Sequence, residues 1–433
     1  MQHSSRSLRT LLRSPLGRLQ LLDDAIERAW PALRGLAGLY RRTLIRTSCL
    51  IAVVGSFGKS TTARAVVVAL GGTPHPRLFL NARTWVPLAV LRVRPGQRHS
   101  VLEVAISGRG QMASHARTVR PDIAVVTAVG SDHNRSLKTL EVTRAEKAEM
   151  VRVLPPSGWA VLNGDDPNVL WMAGETRARV ITFGFNETND IRASRPELDW
   201  PHGTRFSLHS PQGTREVRVR LIGRPMVYPI LAAVGVSLSQ GLQLEEVLGR
   251  LELLEPTPGR LEPVPLANGA VLLRDDFKAS LETIEAALEV LADIPARRRI
   301  VVLGDVAEPK GSSRPIYRRL GERVAQTASQ AVFVTGDNFS AYAAGAVRGG
   351  MPRSAVVHAA RGARGVVTAL PSDLGPGDVV LVKARTGQRL ERVALALLGR
   401  TVRCELKQCG VRLTACHKCP MLERGWDGRR VVL

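Results

Sequence analysis

Aromatic side chains are scarce in this 433-residue chain, at 4% of positions. That is too few for the stacked platform that single-stranded nucleic acid requires. Cysteine is also scarce: there are five, four of them crowded between positions 404 and 419. Such a distribution excludes a disulfide scaffold and fits a reducing, cytoplasmic compartment. No apolar run reaches the length of a membrane span. The first twenty residues carry four Arg and no compact apolar segment, so they do not read as a secretory signal. Acids are under-represented, 38 against 61 Lys plus Arg, which leaves a net charge of +23. This balance favours anionic partners. The excess is spread along the chain and no base-reading patch is evident, so nucleic acid is not an expected partner.

What is present is ordinary for a globular protein, with 44% hydrophobic and 23% charged residues, and the length suits several domains. Residues 1–48 hold nine Arg and three acids, Asp23, Asp24 and Glu27. Leu12, Leu16, Leu19, Leu22, Ile26, Trp30 and Leu33 recur at three- and four-residue steps, predicting an amphipathic helix. Such a helix either lies on an anionic membrane surface or packs on the following domain with its arginines in water. From Cys49 onward short apolar strands (50–54, 100–105, 122–127, 159–162, 180–183) alternate with helical stretches (59–70, 143–153), the pattern of a parallel sheet covered by helices. Residues 204–221 read as a small antiparallel appendage. Pro256-Thr257-Pro258-Gly259 marks a boundary, beyond which a second αβ series follows, with strands at 270–273, 299–303, 331–335 and 378–383. The expected division is a helical segment 1–48, a nucleotide-binding domain 49–255, a Rossmann-like domain 256–400 and a Cys-rich tail 401–433.

The chemistry begins at Gly55-Ser56-Phe57-Gly58-Lys59-Ser60-Thr61-Thr62, between an apolar strand and a helix. Backbone N–H groups of such a turn can cradle phosphate oxygens, with Lys59 on the β/γ-phosphates and Ser60 or Thr61 offering a hydroxyl to Mg²⁺. Val53 fills the place of the longer P-loop's first Gly. Glu103, near the end of one strand, and His133, just past another, belong to the rim where ligands of parallel sheets bind. Lys147 follows fourteen residues after His133. A Glu and a His near ATP phosphates suggest metal coordination; taken by themselves, His133 reads as well as a hydrogen-bonded core residue and Lys147 as part of a solvated helix face.

In order along the chain, these motifs resemble the Mur ligase superfamily, whose members use ATP to join an amino acid or peptide to a carboxylate. Leu102-Glu103-Val104 is similar to the strand with the metal-binding Glu. Gly130-Ser131-Asp132-His133 with Lys147 resembles the Asp-His motif and the lysine that is carbamylated to reach a second Mg²⁺. Asn81-Ala82-Arg83-Thr84-Trp85 looks like the D-alanyl-D-alanine-adding branch, and Val161-Leu162-Asn163-Gly164-Asp165-Asp166-Pro167 resembles a signature in which Asn163 meets the nucleotide. Gly259-Arg260-Leu261-Glu262 and Asp275-Asp276-Phe277-Lys278-Ala279-Ser280 resemble the motifs that reach ATP through Arg260, Asp276 and Lys278. The resemblance implies an ATP-dependent amide ligase acting through an acyl phosphate, with ATP and Mg²⁺ as cofactors and an amino acid or short peptide as amine donor.

Three departures shape the expected substrate. Only 48 residues precede the nucleotide-binding domain, where the muramyl enzymes carry a domain that grips UDP, so an acidic carboxylate without a UDP handle is expected. Pro225, Met226 and Pro229 stand where the family has a His and two Asn around the adenine, and Ala128 replaces a common Asn. The runner-up readings are a poly-γ-glutamate synthase type of ligase and an ATP-binding scaffold that docks a protein partner through its tail. In that tail Cys404, Cys409, Cys416 and Cys419 have the softness and number for a structural zinc, for an iron–sulfur cluster, or remain free thiols. Cys49 reads as a small buried residue.

Overall fold

The computed structural model describes residues 12, 15–75, 83–131, 134–309, 311–359, 362–411 and 414–425. His133 and the Asn81-Ala82 pair lie outside the described residues. The chain forms two compact units, one of residues 31–261 and one that groups the residues up to 30 with 262–433.

A long helix comes first, α1 (Pro15–Arg42), with two arginines in its last turn where cations complement the helix dipole. The first sheet has eight strands in the order β2-β1-β3-β4-β5-β6-β7-β8. They are β1 (Cys49–Val54), β2 (His99–Glu103), β3 (Ile123–Val126), β4 (Trp159–Asn163), β5 (Arg179–Gly184), β6 (Ile191–Asp199), β7 (Gly203–Ser210) and β8 (Gly213–Val219). The strands from β2 to β6 pair in parallel, and β7 and β8 continue antiparallel. The expected appendage is therefore no separate unit: its hairpin extends the main sheet through β6. The central strands are apolar along their length because both faces are covered. One face carries α2 (Lys59–Ala69) and α4 (Val227–Ser239), joined in a core with Ile51, Val53, Val125 and Val161. The other carries α3 (Leu140–Arg152), with Ala148 and Val151 packed among Leu50, Ala52, Val126 and Leu162. Side chains of successive strand residues point to opposite faces, so the two cores draw on alternate positions of β1.

The second sheet has six strands in the order β13-β12-β11-β14-β10-β9. They are β9 (Glu262–Pro265), β10 (Val271–Asp275), β11 (Arg298–Leu303), β12 (Gln330–Phe333), β13 (Val356–His358) and β14 (Asp378–Lys383). All pairs are parallel except β9 with β10, a short hairpin at one edge. No described helix is long and apolar enough to cross a membrane.

Candidate active site

The P-loop follows β1 and leads directly into α2. β1 pairs with β2 so that Val53 lies beside Glu103, and with β3 so that Val54 lies beside Val126. The register therefore brings the P-loop, Glu103 and the loop after β3 to one rim. Gly55 takes φ +147° because there is no room for a side chain: a Cβ there would sit 2.0 Å from Thr127 Oγ1. Gly58 caps α2 in the left-handed region with no side-chain cap, leaving the first N–H groups of the helix to a ligand. Lys59 is buried and curls back, its ammonium donating to the carbonyls of Gly55 at 2.9 Å and Ser56 at 3.2 Å. A cation held within the turn, next to the uncapped N–H groups that open α2, makes a cradle for phosphate oxygens.

The loop is braced from behind. Ser56 N–H donates to the Ala128 carbonyl at 2.7 Å, and Gly130 N–H donates to Ser56 Oγ at 2.9 Å. Thr127 Oγ1 donates to the Phe57 carbonyl at 2.5 Å. Asp166, at the start of the turn after β4, accepts from Val129 N–H at 2.7 Å and from Asn168 N–H at 2.9 Å. Thr127 was not singled out in the sequence, and Asp166 was quoted only as part of a signature. Their bonds to Phe57 and Val129 span 70 and 37 residues, and only the strand register brings these partners together.

Glu103 and Lys147 are both buried, with 4% and 2% of their surface exposed. Lys147 sits on the inner face of α3, not on a solvated one. Ser60 and Thr61 open α2 beside Lys59, Ser60 partly exposed and Thr61 buried. Asn163 spends its amide on structure: Nδ2 donates to the Thr127 carbonyl at 2.8 Å and Oδ1 accepts from Asp165 N–H at 3.1 Å.

Next to this brace stands a compact cluster. Asp165 accepts from Tyr228 Oη at 2.9 Å, Asn189 Nδ2 at 2.9 Å and Phe185 N–H at 2.6 Å. Burial, reinforced by the Asp165 charge, holds the Tyr228 phenol well above the ordinary tyrosine range. Arg224 lies over the Phe185 ring at 4.5 Å, and that ring meets Tyr228 edge-on at 5.0 Å. Pro225 and Pro229 fit the short 3₁₀ turn (Arg224–Met226) and the first turn of α4, where a missing N–H breaks no helical bond.

In the second unit Asp275 and Lys383 face each other across β10 and β14, their charged atoms 2.6 Å apart and both buried. Asp276 accepts from Arg274 Nε at 3.0 Å, and Arg274 also reaches Glu262 at 3.0 Å. Burial pushes the Asp276 carboxyl up to about 6, although the Arg274 cation pulls the other way. Lys278 is half-buried two residues on, and Arg260 is half-buried at the end of the first unit. The tail is pinned by Arg392, almost fully buried, which donates to the carbonyls of Cys404 at 2.9 Å and Leu406 at 2.5 Å. Among the described residues no three His, Cys, Asp or Glu side chains are grouped to hold a metal ion. Cys404, Cys409, Cys416 and Cys419 are all partly exposed free thiols, so the expected zinc finds no assembled donor set.

The chain matches two family descriptions, the Mur ligase middle domain over residues 53–237 and the Mur ligase, glutamate ligase domain over residues 259–386. It is 33% identical over 370 residues to the UDP-N-acetylmuramoyl-tripeptide–D-alanyl-D-alanine ligase of Mycobacterium tuberculosis, an alignment covering 81% of this chain and 72% of that protein. The Bacillus subtilis protein of the same name is 26% identical over 382 residues, 87% of this chain and 80% of its own. Among solved structures, MurF from Acinetobacter baumannii superposes with a TM-score of 0.75 at 24% identity, covering 85% of this chain and 80% of that one. MurF from Thermotoga maritima, solved with ADP, gives 0.72 at 22% identity, over 86% and 83%. These structural likenesses speak to the fold, and the sequence relationship carries the family: the chain belongs to the Mur ligase family of ATP-dependent ligases.

Proposed function

We propose that this ligase activates an acidic carboxylate with ATP and joins it to the amine of an amino acid or short peptide. The observation that carries the reading is the braced P-loop, with Lys59 held on the loop carbonyls at the uncapped start of α2 and the buried Glu103 one strand away. In the first step a carboxylate oxygen attacks the γ-phosphorus and the bond to the β-phosphate oxygen breaks, giving an acyl phosphate and ADP. In the second, the uncharged amine attacks the acyl carbon, loses a proton, and inorganic phosphate leaves with the bonding pair.

Lys59 and the first N–H groups of α2 meet the charge on the transferring phosphoryl group, which is where catalysis of phosphoryl transfer is concentrated. Ser60 or Thr61 with Glu103 would hold one Mg²⁺, and His133 with a carbamylated Lys147 a second. When bound, these ions neutralise phosphate charge and orient the γ-phosphate. Burial of Lys147 on the inner face of α3 supports its role, because a carbamate there would offer oxygen ligands to Mg²⁺ where a free ammonium would repel it. Nucleotide contacts by Asn163, Arg260, Asp276 and Lys278 rest on the resemblance alone.

The basic balance of the chain supports an acidic acceptor. We place the acceptor outside the UDP-linked class named in its relatives, and the assay decides this part directly. Purified protein is incubated with Mg²⁺, ATP and a matrix of acids against amines, including UDP-linked and UDP-free peptides. ADP release and product masses are recorded, with Lys59→Ala as control. A new amide mass matched by ADP release establishes the reaction. A product only from UDP-linked acids overturns the acceptor assignment, and ATP binding without turnover on any pair overturns the ligase reading.

A further inference from the structure

The last two turns of α1 are engaged on one face. Ala37 and Gly38 are buried, Arg34 donates to Ser114 Oγ at 3.1 Å, and Tyr40 donates to the Val93 carbonyl at 2.8 Å. Arg41, also buried, donates to the Ile45 carbonyl and to Asp122, each at 2.8 Å. A surface helix packed in this way ordinarily turns a polar face to water. Here the outward face is apolar as well. Leu22, Ala25, Ala29, Ala32, Leu36 and Leu39 recur at alternating three- and four-residue steps, which places them on one line along the helix. All six are exposed, and the leucines show 49%, 54% and 52% of their surface. The line is about 26 Å long at 1.5 Å per residue. Leu44, just past the helix, adds 62% exposure.

The charges around this line are not neutral in placement. At 3.6 residues per turn Arg18 falls on the line itself and Arg28 on its border; one exposed acid, Asp24, lies a turn before Arg28 and further round the helix, and Glu27 falls on the opposite side. Arg18, Arg28, Arg42 and Arg46 are all exposed. An uncovered apolar stripe with arginines at its ends and border has the makeup of a helix lying in the plane of an anionic lipid surface. Four exposed arginines against the single acid Asp24 give the surroundings of the stripe a net positive charge, the wrong sign for a second copy of this helix and the right one for anionic headgroups.

We propose that the exposed face of α1 seats the protein on an anionic membrane surface, with the opposite side of its last turns packed on the unit of residues 31–261. This goes beyond the ligase reading and does not depend on it.

The test is flotation of the full chain with vesicles of phosphatidylcholine containing 30% phosphatidylglycerol, and with pure phosphatidylcholine. Wild type is expected to float with the anionic vesicles and to be released at high salt. Leu22→Ser, Leu36→Ser and Leu39→Ser together should weaken partitioning by about 100-fold, from the loss of three half-buried leucines. Arg18→Gln with Arg28→Gln should weaken it by about 30-fold, roughly fivefold per cation. Circular dichroism and ATP binding at wild-type level certify that both variants are folded. Wild type that stays with the soluble fraction at every salt concentration overturns the proposal. So does an unchanged partition of the leucine variant, or a wild-type dimer in light scattering that the leucine variant converts to monomer.

Discussion

Gly55 offers the sharpest test of how the phosphate cradle is built. In Gly55→Ala the new Cβ would lie 2.0 Å from Thr127 Oγ1 and 3.0 Å from the Ala128 nitrogen, at a φ of +147°. The backbone strain alone costs about 1–3 kcal/mol. Thr127 can relieve the clash only by giving up its bond to the Phe57 carbonyl, and a stranded buried acceptor costs about 1–3 kcal/mol more. The sum, roughly 2–6 kcal/mol, is expressed as a distorted P-loop whenever ATP binds, so the dissociation constant for ATP should rise by at least ~30-fold. Isothermal titration with ATP and Mg²⁺ reads this directly. Adding Thr127→Ala removes the nearest obstructing atom, so the double variant should bind better than the two single effects multiplied together. Gly96→Ala is the control, since it shares a left-handed φ of +81° but has no atom within 4 Å of the new Cβ. It should lose about 1–2 kcal/mol of stability and leave ATP affinity alone. If Gly55→Ala binds ATP within a few-fold of wild type, the loop is not held by Thr127 and the account of the cradle fails.

Other consequences are open to measurement. Lys147→Ala and Glu103→Gln should each lower substrate-dependent ADP release by at least ~100-fold, with melting temperatures within a few degrees of wild type. Lys383→Met leaves the buried Asp275 without its cation and should cost about 3–5 kcal/mol in denaturant unfolding; adding Asp275→Leu should recover most of it. His115 is buried with no hydrogen-bond partner for Nε2, and burial, helped by the Arg83 cation, lowers its pKa to about 4. A histidine that resists protonation when folded binds fewer protons than the unfolded chain between pH 6.5 and 4, so stability falls as pH drops through that window. The loss totals about 3 kcal/mol. His115→Leu should flatten this part of the stability profile, and an unchanged slope would refute the assignment.

Much of the catalytic framework was legible because its signals are local. β1, β11 and β14 are continuous apolar runs buried on both faces, and Gly55 to Thr62 announces its own turn. Strand β6 was hidden, since Ile191–Asp199 carries two arginines, a proline and two acids and lacks an alternating pattern. It is a strand only because β5 and β7 flank it. The resemblance gives Asn163 as a nucleotide contact, and the structure adds a bracing role that the sequence did not announce: both of its polar groups bond the backbone around Thr127 and Asp165. No spacing rule encodes that choice, which depends on which carbonyl the register leaves within 3 Å. The outward stripe of α1 escaped for a related reason. The stripe through Leu12, Leu16, Leu19, Leu22, Ile26, Trp30 and Leu33 satisfies the helical pattern by itself, and that Leu22 also belongs to a second apolar face with Leu36 and Leu39 becomes visible only when burial is known.

The hairpin at the edge of the second sheet settles a further matter. Leu266 N–H bonds inward to the Ala270 carbonyl, so along β9 the even-numbered N–H groups face β10 and the odd ones face outward. The outward positions are Pro263 and Pro265, which have no N–H to give. An edge strand is ordinarily a template on which a stray chain can grow a sheet, and this one is missing the donors such growth requires. A parallel sheet has to assemble from distant segments and remains open while it does so. With two prolines at its border, this sheet cannot be extended by a neighbouring molecule from that side, so crowding during synthesis is less able to turn a half-formed domain into an aggregate.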